Sequence, residues 1–428
     1  MNDLQKLEQL ISASVSPYHC IFHAAEQLSA AGFINLPLSG NWKLEKGKSY
    51  YVKAYDSTLI AFSIGNELGI CPQLRLEASH TDWPCLKVKP SPEVTSNRYG
   101  RLNVEVYGGP LLGTWMDRPL SMAGKVCILT EDGQDTKTLF VDFSRPVLTI
   151  PNLAIHMNRE ANKGVALNPQ IDMLPLASLV EEQLGKDDYF LQALAKETNI
   201  LPEQILDYEI YIYNWEQGTV LGLNNEFYSS PRLDNLTSVQ ACLTAAIERP
   251  ARKGIHVIAL YDNEEIGSET KQGAASALMD RILEKVFLSL GYDRTAYLNA
   301  LFDGFLLSMD VAHAIHPNHP EKCDIKNQIV MGDGVALKLA ASQSYATDAS
   351  VTGRLEHICR KNQVPYKKFS NRSDIRGGST LGSISSCLLT MPTADVGIPI
   401  LAMHSAREVM AVKDQEALVK MACSFFEL

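Results

Sequence analysis

His256-Val-Ile-Ala-Leu-Tyr-Asp-Asn-Glu-Glu-Ile-Gly-Ser268 is an apolar run that stops abruptly in four polar residues, followed by Ile266 and a glycine. The apolar half has the length and composition of a buried strand. Side chains alternate faces along a strand, so Glu264 and Glu265 diverge only where the chain turns. One carboxylate can then hold a metal ion while its neighbour works on a water. An acidic surface loop has the same local composition, so the rest of the chain must decide between the two.

Working outward, residues 237–247 carry a helical pattern, 273–290 another, and 304–308 a short apolar strand pattern. Helix and strand alternating in this way predict an α/β fold, with a mostly parallel sheet flanked by helices and ligands beyond the carboxyl ends of its strands. Nearer the N-terminus, 4–31 reads as helical with a break at Ser16-Pro17, and 50–53 and 58–64 read as strands. The run Gln73-Leu-Arg-Leu-Glu-Ala78 is a further strand that ends in Ser79-His-Thr-Asp82. Residues 91–221 have another texture, with short β-like runs (103–107, 125–129), many turn residues and a charged helical stretch over 178–197. They are expected to form an inserted β-rich dimerisation or lid domain, leaving 1–90 and 222–428 as a discontinuous catalytic domain.

Composition narrows the function classes. The 428 residues are 46% hydrophobic and 21% charged, as in globular proteins with ample core, and a net charge of −10 argues against a nucleic-acid partner. No apolar run reaches membrane-spanning length. The nine cysteines are scattered with no C-x-x-C pair, which suits a reducing cytoplasm better than a disulfide-stapled domain or a zinc ribbon.

Acids and imidazoles that follow predicted strands or sit at turns are His80, Asp82, Asp234, Glu264, Glu265, Asp310 and His404. They are far apart in sequence, yet the carboxyl ends of parallel strands share one edge of a sheet. Two histidines and three carboxylates are a suitable ligand set for a pair of divalent ions such as zinc, one carboxylate bridging. Asp82, two residues after His80, is placed to accept the imidazole N–H and fix its tautomer. Asp310 and Asp234 also read as a turn acid and a helix cap.

The motifs Ser79-His-Thr-Asp-Trp-Pro-Cys-Leu-Lys-Val-Lys-Pro90, Arg232-Leu-Asp-Asn-Leu236, Asn263-Glu-Glu-Ile-Gly-Ser268, Asp310-Val-Ala-His313 with His316-Pro-Asn318, and Ala402-Met-His-Ser405 together resemble the M18 aminopeptidases, the aspartyl aminopeptidase family. The resemblance runs over nearly the whole chain in the family's order. It implies two Zn2+ per subunit, with Co2+ or Mn2+ as substitutes. His80 and Asp310 would hold one ion, Glu265 and His404 the other, and Asp234 would bridge them. Glu264 would be the general base, taking a proton from the attacking water and returning it to the leaving amine. Lys338, Tyr345 and the glycine loop around Gly378 occupy substrate-side positions, and His156 is expected to reach a neighbouring subunit's site. A structural lysine, a core tyrosine, a tight turn and an interface histidine are the competing readings of those four.

The substrates implied are small peptides carrying an N-terminal Asp or Glu, and the assembly implied is a homo-oligomer, a dodecamer built from dimers. Trp83 stands where a small serine is usual, which leaves room for a broader or neutral-residue specificity. A deacylase of similar architecture, or a non-catalytic assembly protein, would keep the fold without this activity, but a scaffold has no need of Glu264 beside a metal ligand.

Overall fold

The computed structural model describes the chain except residues 131, 181–187, 376 and 428. The apolar run becomes the strand Ile255–Tyr261, which lies inside a nine-stranded sheet. In spatial order the strands are Ile34–Leu36, Ser49–Ala54, Thr58–Ile64, Ile255–Tyr261, Leu74–His80, Phe305–Met309, Thr393–Gly397, Val335–Lys338 and Tyr366–Phe369. The four strands from Ile255–Tyr261 to Thr393–Gly397 run parallel to one another. Antiparallel pairing appears at Thr58–Ile64 and again at Val335–Lys338. Tyr261 is in register with His80, so their carboxyl-terminal extensions leave the sheet side by side.

Each face of this sheet has its own cover. Leu74, Leu76, Ala78, Val257, Ala259 and Tyr261 share a core with the helices Leu278–Ser289, Arg294–Phe302 and Leu381–Leu389. The opposite face packs on the helix Leu233–Glu248, which in turn packs on Val412–Phe426 and Asp3–Ala13. Leu233–Glu248 is buried from Leu233 to Ala246, and its small residues Ser238, Ala241, Cys242 and Ala245 let the surrounding elements come close. The break in the N-terminal helical pattern is a cap: Ser16 accepts from the His19 N–H and Pro17 opens the second helix.

The helical pattern over 273–290 overreaches. The helix is Leu278–Ser289, and the preceding residues form turns, with Gly273 N–H donating to Thr270 O and Ala275 N–H to Ser268 O. A Cβ at Gly273 would strike the Ser268 backbone, so this segment is drawn back against the acidic loop and cannot wind into helix. The pattern over 178–197 overreaches as well. Leu176–Leu179 is a strand, the helix is Tyr189–Thr198, and residues 181–187 lie outside the described set.

The chain divides into two compact units, Met1–Asp82 with Gly218–Met403 and Glu408–Leu428, and Trp83–Gln217 with His404–Arg407. The second is built on a six-stranded sheet ordered Thr136–Asp142, Leu120–Leu129, Ile205–Asn214, Cys85–Ser96, Tyr99–Tyr107 and Leu176–Leu179. Every pairing in it is antiparallel. Among the described residues no helix is long and apolar enough to cross a membrane.

Candidate metal centre

Asn263 and Gly267 take left-handed backbone conformations on either side of Glu264-Glu265-Ile266. Asparagine tolerates that region and glycine prefers it, so the chain turns sharply at the strand's end and the two glutamates leave the sheet in different directions. The turn is closed by Gly267 N–H donating to Glu264 O and Ser268 N–H to Asn263 O. It is also held from the neighbouring strand. The Glu264 and Glu265 N–H groups donate to the two carboxylate oxygens of Asp82, at 3.1 and 3.2 Å.

That use of Asp82 changes the expected pairing with His80. The imidazole Nδ1 lies 3.0 Å from the Asp82 backbone carbonyl and 3.4 Å from its Oδ1. The carbonyl is the better acceptor because it is the nearer, the carboxylate being drawn toward the two amide N–H groups of the turn. The tautomer is fixed all the same: Nδ1 carries the hydrogen and Nε2 is left as a donor atom for a metal.

Nε2 faces two carboxylates, Asp234 Oδ1 at 3.5 Å and Asp310 Oδ1 at 3.6 Å. Both gaps exceed a charge-assisted hydrogen bond, whereas two ligands of one tetrahedral zinc stand about 3.4 Å apart. One ligand atom each from His80, Asp234 and Glu265 lies within 4.8 Å of the others, so the donor set and spacing fit a metal ion.

The scaffold brings these groups together. Asp234 begins the helix Leu233–Glu248 in a non-helical conformation, and its N–H donates to the buried Glu408 at 2.9 Å. The Asp234–Asn235 peptide is cis, and Asn235 Nδ2 donates to the carbonyl of Met309, the residue before Asp310. Gly397 lies against the Asp310 carbonyl with no room for a Cβ. Sequence reasoning placed no role on Asn235, Glu408 or Gly397. Only Asn235 carried a signal, as a buried-type position filled by an amide inside a quoted motif.

The electrostatics call for cations. Burial raises the Glu264 carboxyl to about 8, with His80 opposing and Asp310, Asp82 and Asp234 adding to the rise. Burial also lifts Glu265 well above its ordinary range, and the charge of Asp234 adds to this. Burial disfavours a charged His80, but Asp234, Asp310, Asp82 and Glu264 outweigh it and hold the imidazole well above its usual value. Carboxylates gathered around one imidazole repel one another until positive charge is bound among them.

Lys338, 2% exposed, lies 3.5 Å from Asp310 Oδ2 and over the ring of Tyr345 at 5.3 Å. Tyr345 is buried, and its hydroxyl accepts from Asn371 Nδ2 at 3.1 Å. Gly378 is exposed in the loop that ends at Thr380. In the second unit, His404 has a positive φ of 66° and its Nδ1 donates to the Gly109 carbonyl at 3.1 Å, so Nε2 is the nitrogen that carries the lone pair in the neutral ring. His156 lies in an exposed loop of that unit between Ile155 and Met157.

Residues 10–426 match the family model described as Aminopeptidase I zinc metalloprotease (M18). A probable M18 family aminopeptidase 2 of Clostridium novyi is 42% identical over 424 residues, 99% of this chain and 98% of that protein. In the solved Ape4–Nbr1 complex, a chain 34% identical to this one superposes with a TM-score of 0.95, over 99% of this chain and 85% of that one. The S. cerevisiae mApe1 dodecamer is 26% identical with a TM-score of 0.86, over 99% and 96%. A match over almost the whole length, on a sheet whose adjoining parallel strands lead at their carboxyl ends to His80, Glu265 and Asp310, places the chain in the M18 family of zinc metallo-aminopeptidases.

Proposed function

We propose that this aminopeptidase is dinuclear and releases N-terminal Asp or Glu from short peptides. The observation that carries the reading is the imidazole of His80 facing Asp234 and Asp310 at 3.5 and 3.6 Å, with Glu265 in the same cluster and Glu264 beside it. His80 and Asp310 would hold one zinc and Glu265 and His404 the other, with Asp234 as the ligand they share. Zinc bound there would supply Lewis-acid polarisation of the scissile carbonyl and a water acidic enough to attack at neutral pH.

The chain's own groups do the rest. Glu264 accepts the proton of the attacking water and delivers it to the leaving amine, once bound cations offset the burial and neighbouring carboxylates that raise its own carboxyl. Asp82 holds that turn through two amide N–H groups and keeps His80 Nδ1 protonated through its carbonyl. Tyr345 receives a hydrogen bond from Asn371, which leaves its own hydrogen directed elsewhere, available to the oxyanion. Lys338 supplies a buried positive charge on the substrate side, which supports the acidic preference, and the backbone at Gly378 lines the peptide. One observation favours a second reading, a broader or neutral-residue specificity: the Lys338 ammonium already faces Asp310.

The segment 91–221 serves as the dimerisation or lid domain inserted into a catalytic domain of 1–90 and 222–428. Its exposed Leu153, Ile155 and Met157, with His156 among them, support contact with a second copy. The dodecameric neighbour supports a dodecamer of dimers, and the free cysteines support a cytoplasmic location. Metal analysis tests the dinuclear claim: about two zinc ions per chain are expected after dialysis, falling in the His80→Ala protein, and one or none in the unaltered protein contradicts it.

A further inference from the structure

Asp395 lies in the strand Thr393–Gly397 with no solvent exposure. A carboxylate there persists only if its oxygens are held by donors. Separate segments of the chain hold them. Oδ1 accepts from the Thr380 hydroxyl and Oδ2 from the Ala346 N–H, each at 2.6 Å. The Asp395 N–H donates to Thr347 Oγ1 at 2.8 Å, a second tie to the Ala346 segment. Lys338, on the adjacent antiparallel strand, is its direct partner in register. Burial raises the Asp395 carboxyl, while the Ser308 and Thr380 hydroxyls, the Lys338 charge and the Ala346 N–H work against the rise. Gly382 lets the first turn of the helix Leu381–Leu389 close over the carboxylate, because a Cβ there would strike Oδ1.

Each partner belongs to, or adjoins, a group given a substrate-side role above. Ala346 follows Tyr345, Thr380 ends the loop that carries Gly378, and Lys338 is itself such a group. We propose that Asp395 is a positioning residue, a buried strut that fixes Lys338, the Tyr345 segment and the 377–380 loop in one geometry facing the substrate. This inference rests on the aminopeptidase reading. Asp395 acts through those three groups, and misplacing such groups by a fraction of an ångström is costly in rate.

The test combines hydrogen exchange with a double-mutant cycle on metal-loaded protein. Asp395→Asn keeps the size and one acceptor oxygen for the Ala346 N–H, and the Thr380 hydroxyl can turn to accept from the new amide. What it removes is the charge facing Lys338. Its kcat/KM on aminoacyl substrates is expected to fall about tenfold, with zinc content and Tm little changed. In a Lys338→Met background the same substitution is expected to cost less than about threefold, since groups that act together are not additive. Asp395→Ala removes the ties as well, and the Ala346 amide is expected to lose its protection from exchange.

Equal losses in both backgrounds, or no loss in an active enzyme, overturn the proposal. Unchanged protection of Ala346 in Asp395→Ala overturns it independently of turnover. Failure of the aminopeptidase reading looks different: the unaltered protein then releases no residue, and the exchange result alone decides whether the strut exists.

Discussion

Glu264 and Glu265 are neighbours of identical chemistry, and the account gives them different work. Converting Glu264 to Gln keeps its shape and removes its basicity, so kcat is expected to fall about 10³-fold with zinc content unchanged, as read by steady-state rates beside metal analysis. Converting Glu265 to Gln is expected instead to lower zinc content, because a neutral amide is a poor ligand. Asp82→Asn should fall between these. Its amide cannot accept two backbone N–H groups, so the turn loosens, and metal affinity is expected to drop roughly 10- to 100-fold in competition with a chelator. These residues were singled out in sequence because polar groups follow an apolar strand, a pattern that solvated loops share, and it was the other motifs along the chain that separated the two readings. The detail of Asp82 was not legible: spacing pointed to the carboxylate as the imidazole's acceptor, and only the fold reveals that the turn across the sheet claims that carboxylate first.

At the scale of the element, the strand Leu74–His80 carries both the site and a weakness. Leu74, Leu76 and Ala78 enter the core on one face, while Glu77 points to the other and is wholly buried. Neither Glu77 carboxylate oxygen has a hydrogen-bond partner among the described residues, and burial raises its pKa well above the ordinary range. The folded protein therefore holds this proton at pH values where the unfolded chain has released it. Stability is full below the ordinary carboxyl range and declines as pH rises above it. Glu77→Met is expected to raise stability by about 1–3 kcal/mol, more at pH 8 than at pH 5, as read by thermal or urea unfolding at both.

His256 behaves in the opposite sense. Burial lowers it to about 4, with Arg75 adding to the fall and the hydrogen bond to the Arg249 carbonyl opposing it. It takes up a proton on unfolding, so stability is lost as pH falls from about 6.5 to 4, and His256→Phe is expected to flatten that limb of the Tm–pH curve. The strand periods that set these elements were readable directly. The helical period over 273–277 was misleading, because close approach to the Ser268 backbone overrides local pattern. Asp395, by contrast, was passed over although an acid inside an apolar run is itself a signal.

For the whole molecule, the fold was legible from the alternation of strand and helix after residue 236, since that pattern leaves few arrangements besides a sheet covered on both faces. The convergence of residues as distant as His80 and Asp310 was expected from parallel-strand topology, and the assignment of each to a particular ion entered through the resemblance to a family; the parallel order of four strands is the physical cause of the convergence. Ligands bound only by the folded state stabilise it, so stripping the metals with EDTA should lower Tm, and zinc should restore it. Assembly adds a separate expectation. If His156 serves a neighbouring subunit, protein reassembled from His156→Ala and Glu264→Gln chains should recover activity that neither has alone, and no recovery from well-mixed oligomers would remove His156 from the site.

The central claim is metal-dependent release of an N-terminal residue with Glu264 as the base. It is tested most directly by initial rates on Asp-, Glu- and Leu-terminated peptides, for zinc-loaded, EDTA-stripped and Glu264→Gln protein side by side. Release led by Asp or Glu is expected from the zinc-loaded enzyme alone, with the other two forms at least about 10²-fold slower. Full activity in a Glu264→Gln protein of normal zinc content would contradict it, as would turnover that survives complete removal of the metal.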